Sequence, residues 1–473
     1  MKLMLFAPEL LLLVGSLIIF LFTLKNDADK ARTSAIAIGV AGTLLCLASL
    51  NQTGELFYQA YRIDLFSQLF KLLIALATTC VLLFGRGLKD ITPRMKPEYY
   101  LFLILSSLGL MMLVSSVELI TLFVSLELSS FSLYLMVPMR DDRQGMRTQM
   151  EAGIKYILFA VMATGIMLFG MSYLFGLTGT TYLAEIAPRL AELIKEPAAV
   201  IGIAMVLSGF FFKLAVFPFH FWVPDVYQGA ANETTSFIAS VPKLGAVAIL
   251  IRIVSLATPD KGMTVVQLLV ICAACSMFYG NLAALVQKDV KRLLGFSGIA
   301  HAGFVLLGLL TLRQEGYATS IFYIVGYVLM NMACFLVLCQ VSKSGENVEV
   351  SDLAGLYQRS PLMAFTLATG MMALAGIPPF VGFMGKFLLM AGALKADHLI
   401  LVILAALNTA IAIYYYLSVL KVAYCDAPAT TDRLEVDFTT KAVSLALIAL
   451  IVTLGVVPSQ MLDIANRAVA AIL

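Results

Sequence analysis

The sequence predicts an all-α polytopic membrane protein of about 14 transmembrane helices. Two compositional observations predict it. Of 473 residues, 61% are hydrophobic and only 13% are charged, whereas an average soluble domain carries about 45–50% apolar and about 25% charged residues. A water-soluble fold of this size has no place to hide that apolar excess. A net charge of +3 offers no basic surface for a polyanion, so nucleic acid is not an expected partner. The third observation is the segmentation. Apolar stretches of about 20 residues, the length that crosses a bilayer, recur along the whole chain.

Taken in order, the expected spans are 4–23, 33–50, 64–84, 99–115, 117–138, 152–176, 198–222, 235–257, 264–286, 293–312, 317–340, 362–395, 398–424 and 440–471. The first is expected to stay as a span rather than be cleaved as a signal, since it contains Glu9 and no small-residue cleavage site follows it. Pro8 and Glu9 suit a helix start, with proline in the first turn and an acid at the positive dipole end. The twelfth is interrupted by Pro378-Pro379, and the last is readable as a shorter span with a trailing amphipathic turn. Eighteen of the 32 Lys and Arg residues, among them Arg86, Lys89, Arg94, Lys96, Arg140, Arg143 and Arg147, fall on the side of the odd-numbered loops, and eight on the other. The positive-inside rule then places the basic loops in the cytoplasm and both termini outside a bacterial inner membrane. One inner loop, 223–235, has no Lys or Arg and must be held by something else.

Six cations lie inside the spans: Lys71, Lys155, Lys213, Lys243, Arg252 and Lys386. A charge at a helix centre costs about 2.5–3.5 kcal/mol on insertion scales, so each faces protein or water rather than lipid. Lys71 and Arg252 sit near span ends, where a long side chain reaches the interface. Lys155 follows Glu151 by four residues, a favourable helical ion pair. Lys213, Lys243 and Lys386 are near mid-depth, with Glu127 the one acid expected at that depth and His301 in the middle of span ten. Burial weakens an ammonium's hold on its proton, and a file of titratable groups across the bilayer middle is what a proton relay requires. One carboxylate does not neutralise three lysines, which weighs against a set of unrelated buried ion pairs.

Spans seven and twelve are expected to be broken, at Pro218 and at Pro378-Pro379. Interior proline removes a helical hydrogen bond, and open backbone at membrane depth survives only inside protein or along a polar cavity. An offset of five helices, being odd, turns the second unit upside down. The expected organisation is therefore spans one to three over 1–98, a five-helix repeat over 99–257, its inverted copy over 264–424, and a last helix over 440–473. The seven cysteines fall in spans or at their ends, and Cys272 and Cys275, three apart, lack the partners of a metal site. No phosphate loop, nucleotide fingerprint, hydrolase triad or haem ligand pair is present. No cofactor, no metal and no covalent chemistry are expected in this chain.

These motifs carry a resemblance. The run Phe212-Lys213-Leu-Ala-Val-Phe-Pro218-Phe-His220-Phe-Trp222-Val-Pro224-Asp225 resembles the signature of the antiporter-like membrane subunits of respiratory complex I. So do Ser125-Leu-Glu127-Leu, Gly153-Ile-Lys155-Tyr156, the stretch from Lys288 to Gly303 that contains His301, and Ile377-Pro-Pro-Phe-Val-Gly-Phe-Met-Gly-Lys386. The resemblance covers nearly the whole chain. It implies a fourteen-helix fold with an inverted repeat, and proton translocation driven by redox chemistry in other subunits. Glu127 is then expected to pair with Lys213, Lys243 to be the central relay, Lys386 to serve the outer half-channel, and Lys155 and His301 to lie on the polar axis. Lys386 and the absence of a long C-terminal lateral helix indicate one branch of the family. Expected partners are the bilayer, a neighbouring antiporter-like subunit and small membrane subunits of complex I. Mrp-type antiporters and membrane-bound hydrogenases share the motifs and are the alternative reading. After Gly229 the chain reads Ala-Ala-Asn-Glu-Thr-Thr, where many members of the family carry a proline-bearing segment.

Overall fold

The computed structural model describes residues 2–85, 87–142, 145, 147–193, 196–256, 263–428 and 433–473. Arg86 and Arg143, two of the cations in the charge bias, lie outside the described residues, as does the predicted end of the eighth span at Ala257. The chain begins with α1 (Lys2–Leu5), α2 (Ala7–Leu24) and α3 (Ala28–Ala48), then a hairpin of β1 (Gly54–Leu56) and β2 (Tyr61–Ile63), paired antiparallel with Glu55 opposite Arg62. There follow α4 (Leu65–Phe84), α5 (Lys96–Ser115), α6 (Leu119–Met136), α7 (Thr148–Thr178), the short α8 (Leu183–Leu193), α9 (Pro197–Leu214), α10 (Trp222–Gly229) and α11 (Asn232–Val254). The second half holds α12 (Met263–Ala284), α13 (Val290–Leu309), α14 (Gln314–Val341), the single turn α15 (Leu356–Arg359), α16 (Pro361–Ala375), α17 (Val381–Lys395), α18 (Leu399–Cys425), α19 (Phe438–Val456) and α20 (Ser459–Ala470).

Thirteen of these helices, among the described residues, are long and apolar enough to cross a membrane. The fourteenth expected crossing is the twelfth span, which is two fifteen-residue helices, α16 and α17, neither long enough alone. The last span likewise resolves into α19 and the trailing amphipathic α20. Loops pair at two opposite ends. Tyr61 bridges Ser116, and Glu118 bridges Tyr182, at the hairpin face; Ile91 bridges Arg140, and Asp289 bridges Glu349, at the basic face. Both termini lie at the hairpin face. The Phe6 ring meets those of Phe57 and Tyr61 at 5.5 and 5.6 Å, and Arg62 donates to the carbonyl of Ala471 at 3.4 Å.

Helix starts follow from local chemistry. Asp64 accepts from the Ser67 amide at 2.7 Å while the Ser67 hydroxyl accepts from the Asp64 amide at 3.0 Å, a reciprocal cap on α4. Glu118 caps α6 and Asp289 caps α13 through side-chain acceptors. Burial divides the bundle. α11, α13 and α14 form its centre and are enclosed on nearly every side, whereas α2, α3, α7, α18 and α19 show apolar outer faces. The central helices are therefore not amphipathic, and any polar residue on them is forced into the interior.

The segment 223–235 is no loop: it is α10 running nearly directly into α11, and it is buried almost throughout. Cations from its neighbours hold it in place of its own. Asp225 takes Lys155 at 2.7 Å and Arg292 at 2.7 Å; Arg140 donates to the Gln228 carbonyl at 2.9 Å; Lys291 donates to the Ala230 carbonyl at 2.7 Å.

Candidate functional site

The two broken helices share a construction. α9 ends where Ala215 takes a left-handed conformation (φ 68°), a cis Phe217–Pro218 bond follows, and α10 resumes at Trp222. α16 ends at Gly376 (φ 86°), a cis Pro378–Pro379 bond follows, and α17 resumes at Val381. Freed backbone groups are satisfied inside the protein, as membrane depth demands. The Phe217 amide donates to Ser276 at 2.9 Å, and Trp222 Nε1 donates to the Phe212 carbonyl at 3.1 Å. At the second break Lys386 Nζ donates to the carbonyls of Leu374 at 2.9 Å and Ala375 at 3.2 Å. The sequence places Lys213 before its proline and Lys386 after its own. In space Lys386 folds back to the C-terminal end of α16, and Lys213 occupies the last turn of α9. Each cation thus belongs to the negative end of a half-helix.

Lys243, on α11, is 1% exposed and donates to the hydroxyl of Tyr327 at 2.9 Å. Gly298 on α13 makes room for that contact: a Cβ there would lie 2.8 Å from Lys243 Nζ and 2.7 Å from the Tyr327 oxygen. The His301 ring is 5.1 Å from the Tyr327 ring, its Nδ1 meets the Tyr323 hydroxyl at 2.6 Å, and its Nε2 meets the Tyr416 hydroxyl at 3.2 Å. Ser297 is hydrogen-bonded to Tyr416 in turn. Lys386 Nζ lies 5.0 Å over the ring of Phe304, and His301 is within electrostatic range of both Lys243 and Lys386. A file of buried polar groups therefore runs from Lys243 through Tyr327, which meets His301 ring to ring, to His301 and its tyrosines, with Lys386 over Phe304 beyond.

Glu127 and Lys213 feel each other's charge but form no ion-pair contact. Among the described residues neither Lys213 Nζ nor Glu127 Oε1 has a hydrogen-bond partner. The expected direct pair is thus an electrostatic pair at longer range. Lys155 departs further from expectation. It is 37% exposed and binds Glu151 at 2.6 Å as well as Asp225, at the edge of a polar cavity of about 580 Å³ on the basic face. Tyr134, Tyr156, Phe212 and Trp222 pack ring to ring between that cavity's wall and the Lys213 helix.

Two cations expected to reach the interface do not. Lys71 is fully buried and binds Glu9 at 2.6 Å, while Tyr61 donates to the same carboxylate at 2.6 Å. Arg252 is buried against both oxygens of Asp64, at 3.0 and 2.9 Å. The reason is tertiary: the hairpin and α2 close over the ends of α4 and α11, so those span ends are interior. Glu127 is half-buried, and the acids buried more completely, Glu9 and Glu233, lie toward opposite ends of the bundle. The sequence reading also missed Tyr323, Tyr327, Tyr416 and Ser297. A signal existed for the first two: Tyr323, Tyr327 and Asn331 recur every four residues on one face of α14.

A membrane-embedded helical bundle with two interrupted helices and a midplane file of Lys, His and Tyr defines a class of ion-translocating membrane subunit. Residues 116–412 match the family described as "NADH:quinone oxidoreductase/Mrp antiporter, TM". The chain belongs to that family. Among curated relatives it is 51% identical over 469 residues to NADH-quinone oxidoreductase subunit N 2 of Opitutus terrae, covering 99% of this chain and 98% of that one. It is 42% identical over 476 residues to the protein of the same name from Syntrophobacter fumaroxidans, both covered in full. A chain in the structure of respiratory complex I from Thermus thermophilus with bound Aureothin superposes with a TM-score of 0.84 at 30% identity, covering 96% of this chain and 98% of that one. A chain of the Mrp complex of Dietzia shares the fold, with a TM-score of 0.87 at 20% identity, covering 99% and 97%.

Proposed function

We propose that this chain is the N-type proton-translocating subunit of a bacterial NADH:quinone oxidoreductase, set in the inner membrane with its basic face toward the cytoplasm and both termini outside. Its partners are the other membrane subunits of that complex. It carries no redox step of its own, and the energy comes from electron transfer elsewhere in the assembly. The residues 99–257 and 264–424 act as two inverted repeats, a reading supported by the shared form of their broken helices.

The observation that carries the proposal is the file Lys243–Tyr327–His301–Tyr323/Tyr416 leading to Lys386 at the second break. Lys213 holds a proton in the field of Glu127. When a neighbouring subunit draws the Glu127 charge away, Lys213 releases its proton toward Lys243. From there the proton passes by way of Tyr327 and His301, whose rings are 5.1 Å apart, and Lys386 receives it. Lys155, salt-bridged to Asp225 at the mouth of the basic-face cavity, guides protons to the uptake side rather than standing in the file.

The test is proton pumping by the assembled complex in inverted vesicles, comparing the native chain with Lys213→Met, with and without sodium. Loss of pumping at normal assembly is the expected result. Unchanged pumping refutes the relay. Turnover that requires sodium favours instead a cation/proton antiporter of the Mrp kind, the other branch of the matched family.

A further inference from the structure

Another buried carboxylate stands outside the file described above. Glu233 lies in the first turn of α11, 5% exposed, where the C-terminal end of α4 packs on it: a Cβ on Gly85 would lie 2.9 Å from Glu233 Cγ. The charged groups acting on it are Lys89, Asp90 and Lys291, from the α4–α5 connection and α13. Tyr99 of α5 and Cys339 of α14 are its further titratable neighbours. It is at the basic-face end of the helix that carries Lys243.

Between Glu233 and Lys243 the helix places Ser236 and Ser240. Offsets of three, seven and ten residues keep all four on one face, within an arc of about 80° and over about 15 Å of rise. Ser236 and Ser240 are fully buried. Among the described residues, neither hydroxyl has a hydrogen-bond partner, nor does Asn331 Nδ2 on the facing α14, one turn beyond Tyr327. Buried hydroxyls and amides almost always find protein or ordered water as partner. A row of them with no protein partner, on two facing helices, is a polar lane whose groups call for ordered water.

We propose that Glu233 is the proton-loading residue for Lys243: it takes protons at the basic face and hands them along Ser236, Ser240 and Asn331 to the lysine. The inference rests on the relay reading of Lys243 and adds its supply. In the transfer a proton leaves the Glu233 carboxyl for an ordered water, a proton leaves that file for the Lys243 amine, and the carboxylate reloads from solvent. Glu233 is then a second feed to Lys243 beside the Glu127–Lys213 pair, and full pumping needs both.

The experiment uses the assembled complex in inverted vesicles, with Glu233→Gln beside Lys213→Met. Glu233→Gln is expected to assemble normally and to pump on the order of a hundredfold more slowly, the lower end of the scale on which one proton-transfer group acts. Millimolar formate, a weak acid small enough to carry protons into the lane, is expected to raise its turnover relative to native. Native pumping in Glu233→Gln, or a loss that formate leaves unchanged, overturns the proposal and makes Glu233 a structural counter-ion. If Glu233→Gln does not assemble, Ser236→Ala/Ser240→Ala decides, since it removes the lane and leaves the carboxylate: slowed pumping supports the lane, native pumping overturns it. Loss in Lys213→Met with native pumping in Glu233→Gln leaves the relay standing and removes only the loading site. Native pumping in Lys213→Met with loss in Glu233→Gln keeps the feed and removes the Glu127–Lys213 step.

Discussion

Replacing Glu127 by Gln removes a charge while leaving shape and hydrogen-bonding capacity nearly intact. The structure sets the size of the effect. Glu127 and Lys213 interact without contact, and the lysine nitrogen has no other partner among the described residues. The pair stands beyond the ~4 Å of an ion pair, and at an effective permittivity of about 20 two unit charges separated by roughly 5–7 Å attract by about 2.4–3.3 kcal/mol. Moving one charge against 100 mV takes about 2.3 kcal/mol. The two quantities match, so switching the Glu127 field on and off supplies the work of one proton step at that potential. Glu127→Gln is expected to leave the complex assembled and to abolish pumping at high membrane potential. At near-zero potential, with an uncoupler present, NADH oxidation is expected to recover partly, because the step then runs without a load. Quinone-coupled NADH turnover and proton uptake are measured together in inverted vesicles across a titration of potential. Equal loss at every potential refutes the electrostatic account, and native pumping at high potential refutes the role of Glu127 altogether.

Two further outcomes follow from the geometry. Arg252→Met leaves buried Asp64 with only Arg62, at 3.7 Å, as a cation, and loss of one member of a buried ion pair costs about 3–5 kcal/mol; thermal unfolding of the detergent-solubilised complex is expected to shift down clearly, and an unchanged midpoint would show that Arg62 suffices. Glu346, in the connection after α14, is pulled up by burial, but donation from the Ser344 hydroxyl and from the backbone amides of Ser344 and Lys343 outweighs this and brings its carboxyl down to about 2. The ordering this carboxylate confers is therefore complete above about pH 4.5 and lost as the pH falls toward 2. Protection of the Lys343 and Ser344 amides from hydrogen exchange, relative to their intrinsic rates at each pH, is expected to fall over that window in the native chain and to be low throughout in Glu346→Gln.

The sequence by itself determined the class, the span count, both helix breaks and the cations that lie within the spans. Those features rest on local quantities: the length of an apolar run, a proline within it, and the cost of one charge in hydrocarbon. It also marked 223–235 as a segment that lacks its own basic residues. What only the tertiary structure decided is partnership. Lys71 and Arg252 read as span-end residues, yet Glu9 and Asp64, far away along the chain, make them interior ion pairs. Lys155 reads as a helix-entrance partner of Glu151 or a member of the polar axis, and Asp225 of α10, far along the chain, joins that pair at the basic-face mouth. The tyrosines of α14 read as ordinary aromatic core until α11 and α13 bring Lys243 and His301 against them. Hydropathy reports how each segment meets the bilayer one helix at a time, whereas a proton file depends on which faces of different helices point at one another, and that is settled only when the helices pack.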